Sequence, residues 1–100
     1  SGNIPIYMAV RSGDLDIIKF FLEQDPSLLH ALDSLERTLL HVAVDSGNVD
    51  VVRFLLDKGT NPNARDRYDK TPLSCAAQEG NVDIASVLID ADADPTLQSK

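Results

Sequence analysis

Cysteine is almost missing from this chain: Cys75 is the only one among 100 residues. An intrachain disulfide and a cysteine-rich metal site are therefore excluded, and a reducing compartment, cytoplasmic or nuclear, is the expected setting. No Asn-x-Ser/Thr sequence occurs, which removes one reason to expect secretion. Long hydrophobic runs are lacking too, and none approaches the ~18 residues a membrane span needs, so no membrane insertion is expected. Positive charge is scarce. Nine basic residues face 16 acidic ones, for a net charge of −7. A chain of that sign repels phosphate backbones, and counterion release works against nucleic-acid binding. What is present is a 43% hydrophobic sequence of one-domain length. A chain this short buries only about 60–65% of its extended surface, so its stability margin is thin.

The strongest positive signal is repetition. Ser12-Gly13-Asp14-Leu15-Asp16-Ile17-Ile18 returns as Ser46-Gly47-Asn48-Val49-Asp50-Val51-Val52, and again as Glu79-Gly80-Asn81-Val82-Asp83-Ile84-Ala85. Gly13, Gly47 and Gly80 lie 34 and 33 residues apart, as do Ala9, Ala43 and Ala76. A period in this range marks stacked helical units, each too small to bury its own apolar face.

Each unit reads as two short antiparallel helices. In the middle unit Thr38 is placed to cap a helix over Leu39-Leu40-His41-Val42-Ala43-Val44. Gly47 ends it, because glycine takes positive φ without penalty. Asn48 caps a second helix from Val49 to about Lys58, with Asp50 favoured in its first turn by the helix dipole, and Leu55 and Leu56 follow Val52 at helical spacing. Thr71-Pro72 starts the first helix of the third unit, where proline is preorganised, and Asn81 caps its second, Val82 to about Ala91. The first unit begins at Ile4-Pro5-Ile6-Tyr7, runs to Ser12, and continues in a helix from about Leu15 to Gln24. Asp33-Ser34-Leu35-Glu36-Arg37 and Asp66-Arg67-Tyr68-Asp69-Lys70 lie between helical pairs and read as projecting, β-hairpin-like tips.

Thr71-Pro72-Leu73, Thr38-Leu39-Leu40-His41-Val42-Ala43, the Gly47–Val52 run and Gly59-Thr60-Asn61-Pro62-Asn63-Ala64 together resemble the ankyrin repeat. The resemblance covers nearly the whole chain, as units of about 3–32, 33–65 and 66–98. It implies an all-α solenoid of stacked antiparallel helix pairs, hairpin-like loops projecting at one edge, and a concave groove that binds proteins. Ankyrin repeats as a class have no catalytic activity of their own. Departures are visible. Leu39 stands where the family prefers proline, and Tyr7 and Ser74 where it prefers histidine. Asp25 and Asp92 replace the glycine after the second helix, at about 1 kcal/mol each if they adopt positive φ. Glu36 and Asp69 replace the tip glycine. The first junction, Asp25 to Leu32, is one residue longer than the second, so a lengthened loop pinned by Leu28 and Leu29 is expected.

Few residues offer chemistry. Cys75, between Leu73 and Ala76, reads as buried packing rather than a nucleophile, since no basic neighbour activates it. His41, three residues after Thr38, reads as a hydrogen-bonding member of its motif. His30 has no second histidine at ligand spacing, so a zinc site is not expected. Aspartates dominate the acids, but Asp16, Asp50 and Asp83 share one first-turn offset. Asp90, Asp92 and Asp94 lack the glycine and terminal glutamate of a calcium loop. No cofactor is implied, and an autonomous enzyme finds no nucleophile–base pair, metal cluster or phosphate loop.

If tips and first helices line the groove, that surface carries Arg11, Arg37, Arg65, Arg67 and Lys70, five of the nine basic residues. Asp45, Asp69, Gln78 and Glu79 stand among them. Leu35 and Tyr68 occupy the same place in successive tips, and tyrosine beside arginine is the composition of a binding hot spot. Lys19 and Arg53 fall on second helices, away from this face. The last unit is apolar on more than one side through Val82, Ile84, Val87, Leu88 and Ile89, and the first lacks a leading hairpin. Both suggest a domain excised from a longer protein. The expected function is a non-catalytic protein–protein interaction module whose partner presents an acidic and apolar segment. The alternative is a regulatory or oligomerising appendage of a larger enzyme or channel. As the resemblance implies, Asn63 occupies a position that an asparaginyl hydroxylase can modify in ankyrin domains.

Overall fold

A computed structural model describes residues 5–91. The expectations placed on Ile4, Asp92 and Asp94 lie outside them. Among the described residues the chain forms α1 (Pro5–Ser12), α2 (Leu15–Gln24), a 3-10 helix (Pro26–His30), α3 (Leu39–Ser46), α4 (Val49–Asp57), α5 (Pro72–Glu79) and α6 (Val82–Asp90). Helix starts follow the caps. Thr38 Oγ1 accepts from the His41 N–H and Thr71 Oγ1 from the Ser74 N–H, each at 3.2 Å. Asp14, Asn48 and Asn81 cap the second helices through the amides of Ile17, Val51 and Ile84. Each satisfies an amide that the first helical turn would leave unbonded.

First helices pack in one layer, α1 on α3 and α3 on α5, while α4 packs along α6 behind them. The middle helix α3 packs against α1, α4 and α5, and Leu39 through Val44 are all buried. Ile18, Val51, Val52, Leu55, Ile84 and Leu88 complete the core from the second layer. Burying one such side chain stabilises the fold by about 1.5–3 kcal/mol. The two ends keep apolar surface: Phe20 is 55% and Val82 73% exposed, with Met8, Ile17 and Ile89 also open.

Gly13 turns between α1 and α2 at φ +78°, and a Cβ there would collide with the Asn48 side-chain amide. The first inter-helix turn therefore rests on the cap of the next unit. Asp25 does not take positive φ. It sits extended at φ −147° and caps the 3-10 helix, its carboxylate accepting from the Ser27 N–H. The extra junction residue is absorbed in that helix, with Leu28 and Leu29 packed against the core. The backbone strain expected at Asp25 falls instead on the tips, at Glu36 (φ +60°) and Asp69 (φ +66°).

Candidate functional site

The two tips are built the same way. In the first, the Asp33 N–H donates to the Arg37 carbonyl (3.1 Å) and the Glu36 N–H to the Asp33 carbonyl (2.9 Å). Glu36 then takes the left-handed conformation that a three-residue hairpin loop requires. The Asp33 carboxylate accepts from the amides of Leu35 and Arg37, both at 2.9 Å, and from Arg37 Nε at 2.8 Å. Burial pushes the Asp33 pKa up, but these bonds from Arg37 and Leu35 outweigh it and hold the carboxyl below its usual range. Asp66 repeats the device with the amides of Tyr68 (2.8 Å) and Lys70 (2.9 Å). The tips are joined where the Arg67 N–H donates to the Leu35 carbonyl at 2.9 Å. No strand is assigned among the described residues, so these are hairpin-like turns tied by single bonds rather than a sheet.

Below the tips, buried polar side chains tie the first helices of the first two units, α1 and α3, to the following loop. His41 Nε2 lies 2.7 Å from the Lys70 carbonyl, and His41 Nδ1 accepts from the Thr38 N–H at 3.2 Å. Those partners fix a neutral ring protonated on Nε2. Burial, above all, lowers the His41 pKa below 6.5. Tyr7 stands one unit earlier, and its hydroxyl donates to the Arg37 carbonyl at 3.4 Å. Burial, then the Asp33 charge, raises the Tyr7 pKa to about 12. Ser74, one unit later, keeps only the local half of the pattern, its Oγ accepting from the Thr71 N–H at 2.9 Å.

The tips and the faces of α3 and α5 enclose a hollow of about 370 Å³. Leu35, Arg37, Asp45, Tyr68, Lys70, Gln78 and Glu79 line it, as do His41, Asp66 and Cys75. Arg11, Arg65 and Arg67 are exposed outside this lining. Tyr68 is 59% exposed at the rim, and Leu35 is half-buried beside it. Two of the expected surface cations are held within the tips. Arg37 pairs with Asp33 at 2.8 Å, and Arg65 Nη1 lies 3.1 Å from Asp69 Oδ1. Lys70 Nζ donates to Gln78 Oε1 at 3.0 Å. At the far side, burial and then a hydrogen bond with Asp45 raise the Glu79 pKa, so two carboxyls crowd one edge. The hollow thus has a cationic edge, an acidic edge and an apolar wall.

Cys75 packs against the core, as expected of it, but it is only half-buried and also lines this hollow. Burial, first, and the Asp66 charge push its thiol pKa up, which disfavours the nucleophilic thiolate. Asp33 and Asp66 were the residues least conspicuous in the sequence. Their shared signal is an aspartate two and four residues before the amides it binds, an Asx-turn spacing.

Stacked helix pairs with tips tied from unit to unit define a helical-repeat protein. The model of ankyrin repeats, in three copies, matches residues 6–99. The chain belongs to the ankyrin-repeat family, whose members are generally protein-interaction modules and typically non-catalytic. No curated protein matches the chain. No helix among the described residues is long and apolar enough to cross a membrane.

Proposed function

We propose that this chain binds a partner protein through its two tips and the hollow beneath them, and performs no chemistry of its own. One observation supports this reading most: Leu35 and Tyr68, from successive repeats, stand together over a hollow whose polar edges carry opposite charge. Apolar anchors at the centre of an interface dominate its energy, while flanking charges set orientation. A partner segment with an apolar side chain fits the wall, and its acids fit the side of Lys70 and Arg67. The raised Cys75 pKa leaves the thiol as lining. The three units act as one domain, in the cytoplasm or nucleus, where the free Cys75 stays reduced. Asn63, whose N–H donates to Asn61 Oδ1 at 2.9 Å, is the proposed hydroxylation position. Affinity capture from cell extract, wild type beside Tyr68→Ala, tests the binding reading. A specific protein retained by the first and lost from the second supports it; equal retention by both overturns it.

A further inference from the structure

The opposite side of the stack holds a second hollow, of about 350 Å³, between the first and second units. Leu22, Pro26, Leu29 and Phe54 give it an apolar floor, and Lys19, Lys58 and Glu23 stand around it. Its shape comes from the long first junction: the 3-10 helix sets Pro26 and Leu29 as one wall. The two lysines come from different repeats and converge on one ring, Lys19 Nζ at 5.6 Å and Lys58 Nζ at 5.4 Å from the Phe54 centroid. Both side chains remain exposed.

The repeat supplies its own comparison. Between the second and third units the same positions frame a hollow of about 290 Å³. Lys19, Leu22 and Glu23 correspond to Arg53, Leu56 and Asp57, whereas Phe54 and Lys58 correspond to Val87 and Ala91. Asp90 adds a second acid there. So the aromatic and the second lysine are not demanded by stacking. The hollow between the second and third units is net negative at its lining, whereas the one between the first and second units is net positive in a chain of charge −7.

We propose that the hollow between α2, the 3-10 helix and α4 docks an acidic peptide segment carrying one large apolar side chain. The side chain fills the floor over Leu22, Leu29 and Phe54, and flanking carboxylates meet Lys19 and Lys58. A short peptide experiences this local pair, since charges beyond about 10 Å are screened at physiological salt. A broad anionic membrane would instead face the negative chain as a whole. This surface shares no residue with the groove, so each reading stands or falls separately.

Nitrogen-labelled protein titrated with a short peptide of one Phe flanked by Asp and Glu provides the test. Its counterpart with Lys at every acidic position, and phosphatidylserine vesicles, are run alongside. Amide shifts should gather at Lys19, Leu22, Leu29, Phe54 and Lys58 with the acidic peptide. Binding should weaken about tenfold in the paired variant Phe54→Val, Lys58→Ala, which copies the third unit, and fall with added salt. Lys19→Ala should weaken it with an unchanged thermal melt, and Tyr68→Ala should leave it intact. Equal binding of the lysine peptide would overturn the proposal. So would shifts at Leu35 and Tyr68 instead, vesicle binding in place of peptide, unaltered affinity in both lysine variants, or no shift with any peptide at millimolar concentration.

Discussion

Replacing His41 by alanine should both weaken the fold and remove a specific pH dependence. The ring is 1% exposed and serves two backbone partners, the Thr38 N–H and the Lys70 carbonyl. Each net hydrogen bond is worth about 1 kcal/mol, and the vacated ring volume adds a cavity cost, for a total of about 3 kcal/mol. Against a chain stability of about 5–10 kcal/mol, a urea midpoint should fall by roughly 2 M. The folded pKa lies below 6.5, so above that value both states hold a neutral ring and its contribution is flat. As pH falls below 6.5 the unfolded chain takes up a proton that the folded ring resists. Stability then drops by up to about 1.4 kcal/mol per pH unit until the folded value is reached. Asp33 acts lower. Its contribution is present above 3.8 and lost as pH falls through its depressed folded value. Glu79, raised above 4.5, has the opposite sign in the window just above that value. Urea melts from about pH 7.5 to 5.5, read as wild type minus His41→Ala, isolate the histidine. Parallel slopes, or a midpoint shift below about 0.5 M, would refute the buried neutral ring that ties α3 to the second tip.

Other perturbations follow the same contacts. Leu40→Ala or Leu55→Ala, both fully buried, should each cost about 2–5 kcal/mol in a denaturant melt. Arg67→Ala should leave the melt nearly unchanged, because its inter-tip bond comes from the backbone amide. Gly13→Ala should destabilise more than Gly47→Ala: both have φ +78°, but only at Gly13 does the new Cβ strike Asn48. Loss of that cap adds about 1 kcal/mol to the left-handed penalty of about 1–2 kcal/mol, and paired thermal melts read the difference. Incubation with an asparaginyl hydroxylase should add one oxygen at Asn63 by intact mass and fragmentation. An unmodified chain removes that site.

The helical frame was legible because it rests on local chemistry. Thr38, Thr71, Asn48 and Asn81 each cap a helix by their own side chain, and Gly47 and Gly80 adopt the left-handed turn that glycine permits. Asp25 was harder to read. An aspartate in a glycine's place admits either positive φ or an N-cap, and Pro26 beside it favoured the second by starting a 3-10 helix. The arginines resisted sequence reading for a different reason. Composition places Arg37 and Arg65 on the tips, but only tertiary geometry shows Asp33 and Asp69 holding them. Cys75 followed an apolar pattern and still opened into the hollow, because α5 has α3 on one side and the tips above it. Tyr7 looked like a departure from histidine, yet its hydroxyl reaches the carbonyl one unit on, as His41 does.

Association and dissociation rates of the captured partner, measured over a range of salt, test the binding face most directly. Tyr68→Ala should weaken binding by about 1–3 kcal/mol with its melt unchanged, and Leu35→Ala should do the same at some cost in stability. Arg67→Glu should slow association more than it speeds dissociation and flatten the salt dependence, because the screened attraction is gone. Arg53→Glu, on the second-helix surface, should change neither rate appreciably. A partner indifferent to Tyr68, Leu35 and Arg67 but lost on changing Arg53 would contradict the account.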